Sequence, residues 1–247
     1  MPHYDFRTPR LYIDAPLGEG QDVVFDRGQA NYLRNVLRLK QGDAVLLFNG
    51  RDGEWRARLS GSSRRELSAA VSERLRAQPP PSDLHFMFAP LKHARLDYLV
   101  QKAVEMGVSR LQPVITRHTQ VARVNLERMR ANVVEAAQQC GILALPEVAE
   151  PVAFTAAIAD HGRLLVFCDE DAELKDPMAA LGAARESLPL SVLIGPEGGF
   201  AEDERRALLQ RHHIVRISLG PRILRADTAA VAALAIVQAV LGDWRGG

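Results

Sequence analysis

Two short apolar runs near the C-terminus each stop at Gly-Pro. Val192-Leu-Ile194 meets Gly195-Pro-Glu-Gly-Gly199, and the run at 214–219 meets Gly220-Pro221. Apolar runs of this length, ended by glycine and proline, have the signature of buried strands. Between them Ala201-Glu-Asp-Glu204 opens a helix with carboxylates in its first turn, where the macrodipole favours them. Beyond the second turn, Asp227 or Thr228 is placed to cap an Ala-rich helix reaching about Leu241. Strand, turn and helix, twice over, predict an α/β domain with parallel strands and a ligand at their carboxyl ends. One Gly-Pro turn is an ordinary connection. Two of them, with Glu197, Arg222, Arg225 and Asp227 gathered around, mark a candidate site. Neither turn fits G-x-G-x-x-G or G-x-x-x-x-G-K-[ST], so the usual nucleotide loops are not the mechanism.

The rest of the chain divides at Pro79-Pro-Pro81, whose stiff extended character suits a spacer over 77–83. Residues 1–76 form a β-rich unit, with strands predicted at 10–13, 22–25, 44–48, 54–60 and 66–73. One helix over 29–39 interrupts them, with Leu33, Val36 and Leu37 on its apolar side. This unit holds Arg7, Arg10, Arg34, Arg38, Arg64 and Arg65 among its many arginines. They make either a solvated basic face or a surface for RNA phosphates, which guanidinium forks suit. The whole chain carries a formal charge of only +1, so any nucleic-acid surface must be local.

Residues 84–247 alternate strand and helix. Strands are predicted at 84–89, 111–115 and 164–168, with helices over 95–106 and from Asn125 to Gln139. Cys140 falls on the apolar side of the second helix, with Met129, Val133 and Ala136. Cys168 ends a strand. The two cysteines have no metal-ligand spacing and no disulfide framework, which suits a reducing compartment. No G-x-S-x-G, H-E-x-x-H or C-x-x-C occurs. No metal site is expected. No apolar segment is long enough for a signal or a membrane span, and a cytoplasmic protein is expected.

Gly195-Pro-Glu-Gly-Gly199 together with Leu219-Gly-Pro-Arg-Ile-Leu-Arg225 resembles the RsmE family. These SPOUT-superfamily methyltransferases modify N3 of a uridine in 16S ribosomal RNA. The resemblance spans essentially the whole chain, through Arg10-Leu-Tyr12, Tyr32-Leu-Arg-Asn-Val-Leu-Arg38, Gln101-Lys-Ala-Val-Glu-Met-Gly-Val108 and Leu145-Pro-Glu147. It implies a PUA-like β-barrel that binds RNA, followed by an α/β domain whose C-terminal part forms a trefoil knot. It implies S-adenosylmethionine (SAM) as cofactor, 16S rRNA of the small subunit as substrate, and a homodimer paired through the Ala-rich helix. The cofactor pocket so implied takes in Cys168, then Gly195, Pro196, Glu197 and Gly198. It continues through Leu219, Gly220, Ile223 and Leu224 to Asp227, Thr228 and Ala229. Ala226-Asp227 departs from the family's usual Thr-Glu, so this carboxylate is one methylene shorter.

Transfer to uridine N3 requires alignment of N3 with the methyl group and stabilisation of charge on the uracil. Arg225 and Arg222 are the candidates for that task, unless one of them pairs with Asp227 or Glu197. Asp227 is a candidate base, and direct loss of the proton to water is the other route. Arg7, Arg10, Arg34 and Arg38 are the candidate RNA contacts. Two rival functions remain at this point, a non-catalytic RNA-binding or ribosome-assembly factor and a SPOUT methyltransferase acting on another RNA site or atom, such as a ribose 2′-hydroxyl.

Overall fold

The computed structural model describes residues 5, 7–62, 66–121, 123–159, 162–184 and 189–246. Arg64 and Arg65 lie outside the described residues. Two compact units are present, residues 1–80 with 137–145, and residues 81–136 with 146–247.

In the first unit β1 (Arg10–Tyr12), β2 (Asp22–Val24), β3 (Ala44–Phe48), β4 (Glu54–Ser62) and β5 (Leu67–Arg76) form one sheet in the order β1-β3-β4-β5-β2. The β1–β3 pair is parallel and the others are antiparallel. Period-two alternation sends Leu67, Ala69 and Val71 of β5 inward, onto Leu11, Val45 and Leu59. Residues 137–145 close this unit. Gln138 Oε1 accepts from the Tyr12 N–H at 2.9 Å, and Arg76 Nη2 donates to the Gly141 carbonyl at 2.9 Å.

The helix expected over 29–39 is different in kind. α1 (Arg27–Asn31) starts at Asp26, whose carboxylate forms a capping box with Gln29, and it passes into a π-helical turn over Tyr32–Val36. That wider turn breaks the 3.6-residue stripe. Leu33 stays buried, but Val36 swings out to 60% exposure and Arg38 takes a left-handed φ of 57°.

The second unit contains β6 (Leu84–Phe88), α2 (His93–Glu105), β7 (Arg110–Ile115), α3 (Leu126–Cys140), β8 (Glu147–Val148), β9 (Val152–Ala153) and α4 (Phe154–Ala157). β10 (Leu164–Cys168), α5 (Pro177–Ala183), β11 (Leu190–Ile194), α6 (Glu202–Leu209), β12 (Ile214–Ile217) and α7 (Ala226–Val240) follow. The last turn of α3 falls within residues 137–145. Cys140 is exposed there rather than part of the apolar stripe.

The sheet order is β12-β10-β11-β6-β7-β8, every pair parallel, with β9 also on β7. Met87, Leu165, Phe167 and Leu193 cover one face under Phe154 and Leu208. The alternate residues Phe86, Phe88, Val192 and Ile194 point the other way. α7 packs on α2 and β11. The buried stripe of α7 is Ala226, Ala230, Ala233, Leu234, Val237 and Gln238. Arg225 occupies the N-cap position of α7 with no side-chain cap, so neither Asp227 nor Thr228 caps it. Among the described residues no helix is long and apolar enough to cross a membrane.

Candidate active site

β6, β11, β10 and β12 end flush. Phe88 is paired with Ile194, Phe167 with Leu193, and Cys168 with Ile217. Adjacent parallel strands lie about 4.8 Å apart. The chain after Ile194, Cys168 and Ile217 therefore leaves one short edge as three neighbouring loops, which brings the three implied cofactor segments together.

The first loop begins at Cys168. Burial, helped by the charge of Asp169, pushes its thiol up to about 12, so the sulfur stays neutral. Asp169 is buried and turned inward. It accepts from Arg205 Nη2 at 3.0 Å and Arg216 Nε at 2.9 Å, which anchors the loop.

The second loop is pinned from inside by Phe200, whose ring meets Phe167 edge-on at 5.4 Å and Phe154 at 5.7 Å. This explains Gly195, since a Cβ there would stand 2.6 Å from Phe200 Cε2. Glu204 closes the loop, accepting from the N–H groups of Ala201 (2.9 Å) and Arg117 (2.8 Å). His118 Nδ1 lies 3.2 and 3.0 Å from the carbonyls of Gly198 and Gly199, which only accept, so Nδ1 carries the proton. Arg117 and His118, in the turn after β7, thus both serve the second loop. Pro196, Glu197 and Gly198 form its outer turn, and the Pro196 carbonyl accepts from the Gly199 N–H at 2.9 Å.

The third loop is the open one. Gly220 has a φ of 95°, and a Cβ there would meet nothing within 4 Å. Ile223 is 93% exposed, and Leu219 and Leu224 are half-buried. Among the described residues the main-chain N–H groups of Leu219, Gly220, Ile223 and Leu224 have no hydrogen-bond partner. Free donors beside apolar side chains suit a heteroaromatic ring with polar edges. Thr228 and Ala229 follow in the first turn of α7, with the Thr228 N–H on Asp227 Oδ1 at 3.0 Å.

The charged residues sort differently from expectation. Neither Arg222 nor Arg225 pairs with Asp227 or Glu197. Both are exposed, with no partner among the described residues. The partner of both carboxylates is Arg95, in the first turn of α2. Its Nε and Nη2 donate to Asp227 Oδ2 and Oδ1 at 3.0 Å each, while Nη1 is ion-paired with Glu197. The hydrogen bonds from Arg95, against a smaller effect of burial, hold the Asp227 carboxyl below the usual carboxylate range. That makes it a poorer proton acceptor than the sequence suggests. Arg95 had no local signal, because its carboxylate lies 132 residues away in the chain.

Of the candidate RNA contacts, Arg7 and Arg38 are exposed and Arg34 is half-buried, with Nη2 on the Glu66 carbonyl at 3.0 Å. Arg10 is not on the surface. It is buried against Glu54, with Nη1 near the Gln138 carbonyl at 3.4 Å. Its guanidinium holds the first unit together and is not offered to a phosphate.

A parallel sheet with three such loops at one edge, in a chain that also carries a small mixed β unit, belongs here to an RNA methyltransferase, as the family models show. The family model described as an RNA methyltransferase domain matches residues 78–238, and the one described as an RNA methyltransferase PUA domain matches residues 25–72. The chain is 31% identical over 230 residues to the ribosomal RNA small subunit methyltransferase E of Rickettsia conorii, covering 93% of this chain and 94% of that one. It is 32% identical over 228 residues to the Synechocystis protein of the same name, covering 89% and 73%. The chain belongs to the ribosomal RNA small subunit methyltransferase E family. Among solved structures, the Neisseria gonorrhoeae family member bound to S-adenosyl methionine superposes with a TM-score of 0.82 at 28% identity, over 94% of this chain and 97% of that one. A putative methyltransferase from Legionella pneumophila, in complex with SAM, gives 0.78 at 27% identity, over 94% and 98%. The first unit is thus PUA-like, as the sequence implied.

Proposed function

We propose that this chain binds SAM in the three loops at the carboxyl edge of the parallel sheet and methylates N3 of a uridine in 16S rRNA of the small ribosomal subunit. One observation carries the reading. The third loop offers unpartnered main-chain N–H groups beside Ile223, at the edge where the loops after β10 and β11 also emerge. The residues fit the cofactor: the free amides would serve an adenine edge, apolar Leu219, Ile223 and Leu224 would cover its faces, and the excess negative charge of Glu197 and Asp227 over Arg95 would suit its sulfonium. Cys168, Gly195, Pro196, Glu197, Gly198, Thr228 and Ala229 complete the proposed pocket.

When bound, SAM supplies an electrophilic methyl carbon. The work left to the protein is orientation and charge. Arg222 and Arg225 are cations without an internal partner, and they stabilise negative charge on the uracil as N3 gives its proton to water. Asp227, held ionised by Arg95, contributes field and loop geometry rather than proton acceptance. N3 is occupied in a Watson–Crick pair, so the substrate uridine is unpaired or flipped.

In this reading residues 1–76 are the RNA-binding domain, joined by residues 137–145 of its compact unit, 77–83 are the linker, and the rest of 84–247 is the SPOUT methyltransferase domain, with the C-terminal part threaded as a trefoil knot. The crossing of the chain from β11 past β10 to β12, and its return through α7 to β11, supports that threading. The enzyme acts as a cytoplasmic homodimer.

Isothermal titration with SAM, then reverse transcription of treated 16S rRNA, tests the proposal. Methylation at N3 removes a pairing donor and should stop the transcriptase at one uridine. Absence of SAM binding, or label on a ribose hydroxyl, would refute it.

A further inference from the structure

Arg95 is one side chain with two jobs. Its Nε–Nη2 edge forms a fork on Asp227, at 3.0 Å for both bonds, and Nη1 reaches Glu197. Asp227 opens α7 directly after the third loop, and Glu197 sits at the outer turn of the second. Arg95 itself belongs to α2, which follows β6 and packs on α7. Three segments remote in sequence therefore meet on one planar group. A guanidinium has the donor geometry for such a bridge, whereas an ammonium is a point charge that serves one carboxylate well.

The contacts matter because the two loops are otherwise held unequally. Phe200, Glu204 and His118 tie the second loop to the core, to α6 and to the chain after β7. The third loop has its N–H groups unpartnered from Leu219 to Leu224 at the positions named above. With each of its three nitrogens paired to a carboxylate, Arg95 acts as a structural link between the two loops.

We infer that Arg95 is a positioning residue, which locks the loosely held third loop and the start of α7 to the anchored second loop so that the pocket keeps one shape before cofactor arrives. The inference rests on the SAM reading above for its functional consequence, but not for the link itself.

The link is read without ligand by amide hydrogen exchange. In R95M, peptides covering 195–201 and 218–230 should exchange at least about fivefold faster than in the wild type, while peptides over 44–48 stay unchanged. Coupling energies between sites correspond to about 5- to 150-fold effects. By that scale R95M should weaken SAM binding about tenfold. E197Q and D227N should each weaken it in the wild-type background and change it less than about twofold when added to R95M. R95K, which keeps the charge without the fork, should lie between, and it serves as the variant if R95M does not fold. In turnover, KM for SAM should rise while kcat at saturating SAM stays within about twofold. Unchanged exchange in both segments, additive effects in the cycle, or a collapse of kcat with KM unmoved would each overturn the assignment. A wild-type chain that does not bind SAM overturns the cofactor reading instead, and the exchange comparison still decides the link.

Discussion

Arg10 Nε lies 2.5 Å from Glu54 Oε1, and both side chains are only 4% exposed. Arg76 reaches the same carboxylate through Nε at 2.8 Å and Nη2 at 2.9 Å, so one buried acid sits between two guanidiniums. β1, β4 and β5 are joined by this triad, and Arg10 Nη2 is buried with no hydrogen-bond partner. A buried pair that loses one member leaves the other charge stranded, at a cost of about 3–5 kcal/mol.

Glu54→Gln should therefore destabilise the first unit by a few kcal/mol, measured by urea unfolding with a probe in that unit. Burial raises the Glu54 carboxyl, but the bonds from Arg76 and Arg10 outweigh it and leave the net value lowered. A lowered folded value gives stability that is present above the ordinary carboxylate range and lost as pH falls through that folded value. Acid unfolding of the wild type should then steepen below the ordinary Glu range, and E54Q should flatten the profile there.

Arg34, half-buried in the π-helical turn, and Arg38, exposed two residues beyond it, are the proposed phosphate contacts, and each such contact on single-stranded RNA contributes about 0.7 to the slope of log affinity against log salt. Replacing both with Ala should lower that slope by about 1.4 on an rRNA fragment, in filter-binding or fluorescence titrations. Arg10→Lys should leave the slope unchanged and cost stability instead.

Gly195 and Gly220 should fail for opposite reasons. Gly195→Ala pushes a methyl group into Phe200 and should cost about 1–3 kcal/mol of stability by overpacking. Gly220→Val has open space but the wrong φ, with strain of about 1–3 kcal/mol confined to the loop. Circular dichroism should show a folded G220V, and titration should show weakened SAM binding. Unchanged affinity in that folded variant would displace the pocket from the third loop.

The proposed dimer face is narrower than the composition of α7 suggests. Ala233 is 0% exposed and belongs to the buried stripe, as do Leu234 and Val237, so a charge at Ala233 would unfold the unit rather than split a dimer. Ala232, Ala235 and Ala239 lie on the opposite side of the helix. Ala235→Glu should convert a particle of twice the 27.2 kDa chain mass into monomers by light scattering, with little change in far-ultraviolet dichroism. A wild type that is monomeric and fully active at micromolar concentration would refute the pairing.

Strands and their turns were legible because period, glycine and proline act locally. β3 spans the predicted 44–48, and β10 the predicted 164–168. What escaped depends on distance or on count. Arg95 finds its carboxylate 132 residues away, so no window reveals it. Arg10 was grouped with surface arginines because composition records charge and not burial. Val36 was placed inward by a 3.6-residue period that the chain abandons at Tyr32. α5 has a local signal in Asp176, which caps it, and Pro177, which opens it, but the acidic residues before it read as loop.

Residues 137–145 fold with residues 1–80, through Tyr12, Arg76 and Gln78. The small β unit is therefore discontinuous in the gene, and a truncation that begins near Ser82 strips those nine residues of the backbone and guanidinium partners they bond. Recombination or engineering that moves this unit as one cassette leaves part of it behind. Exchange of this unit between relatives requires two matched inserts.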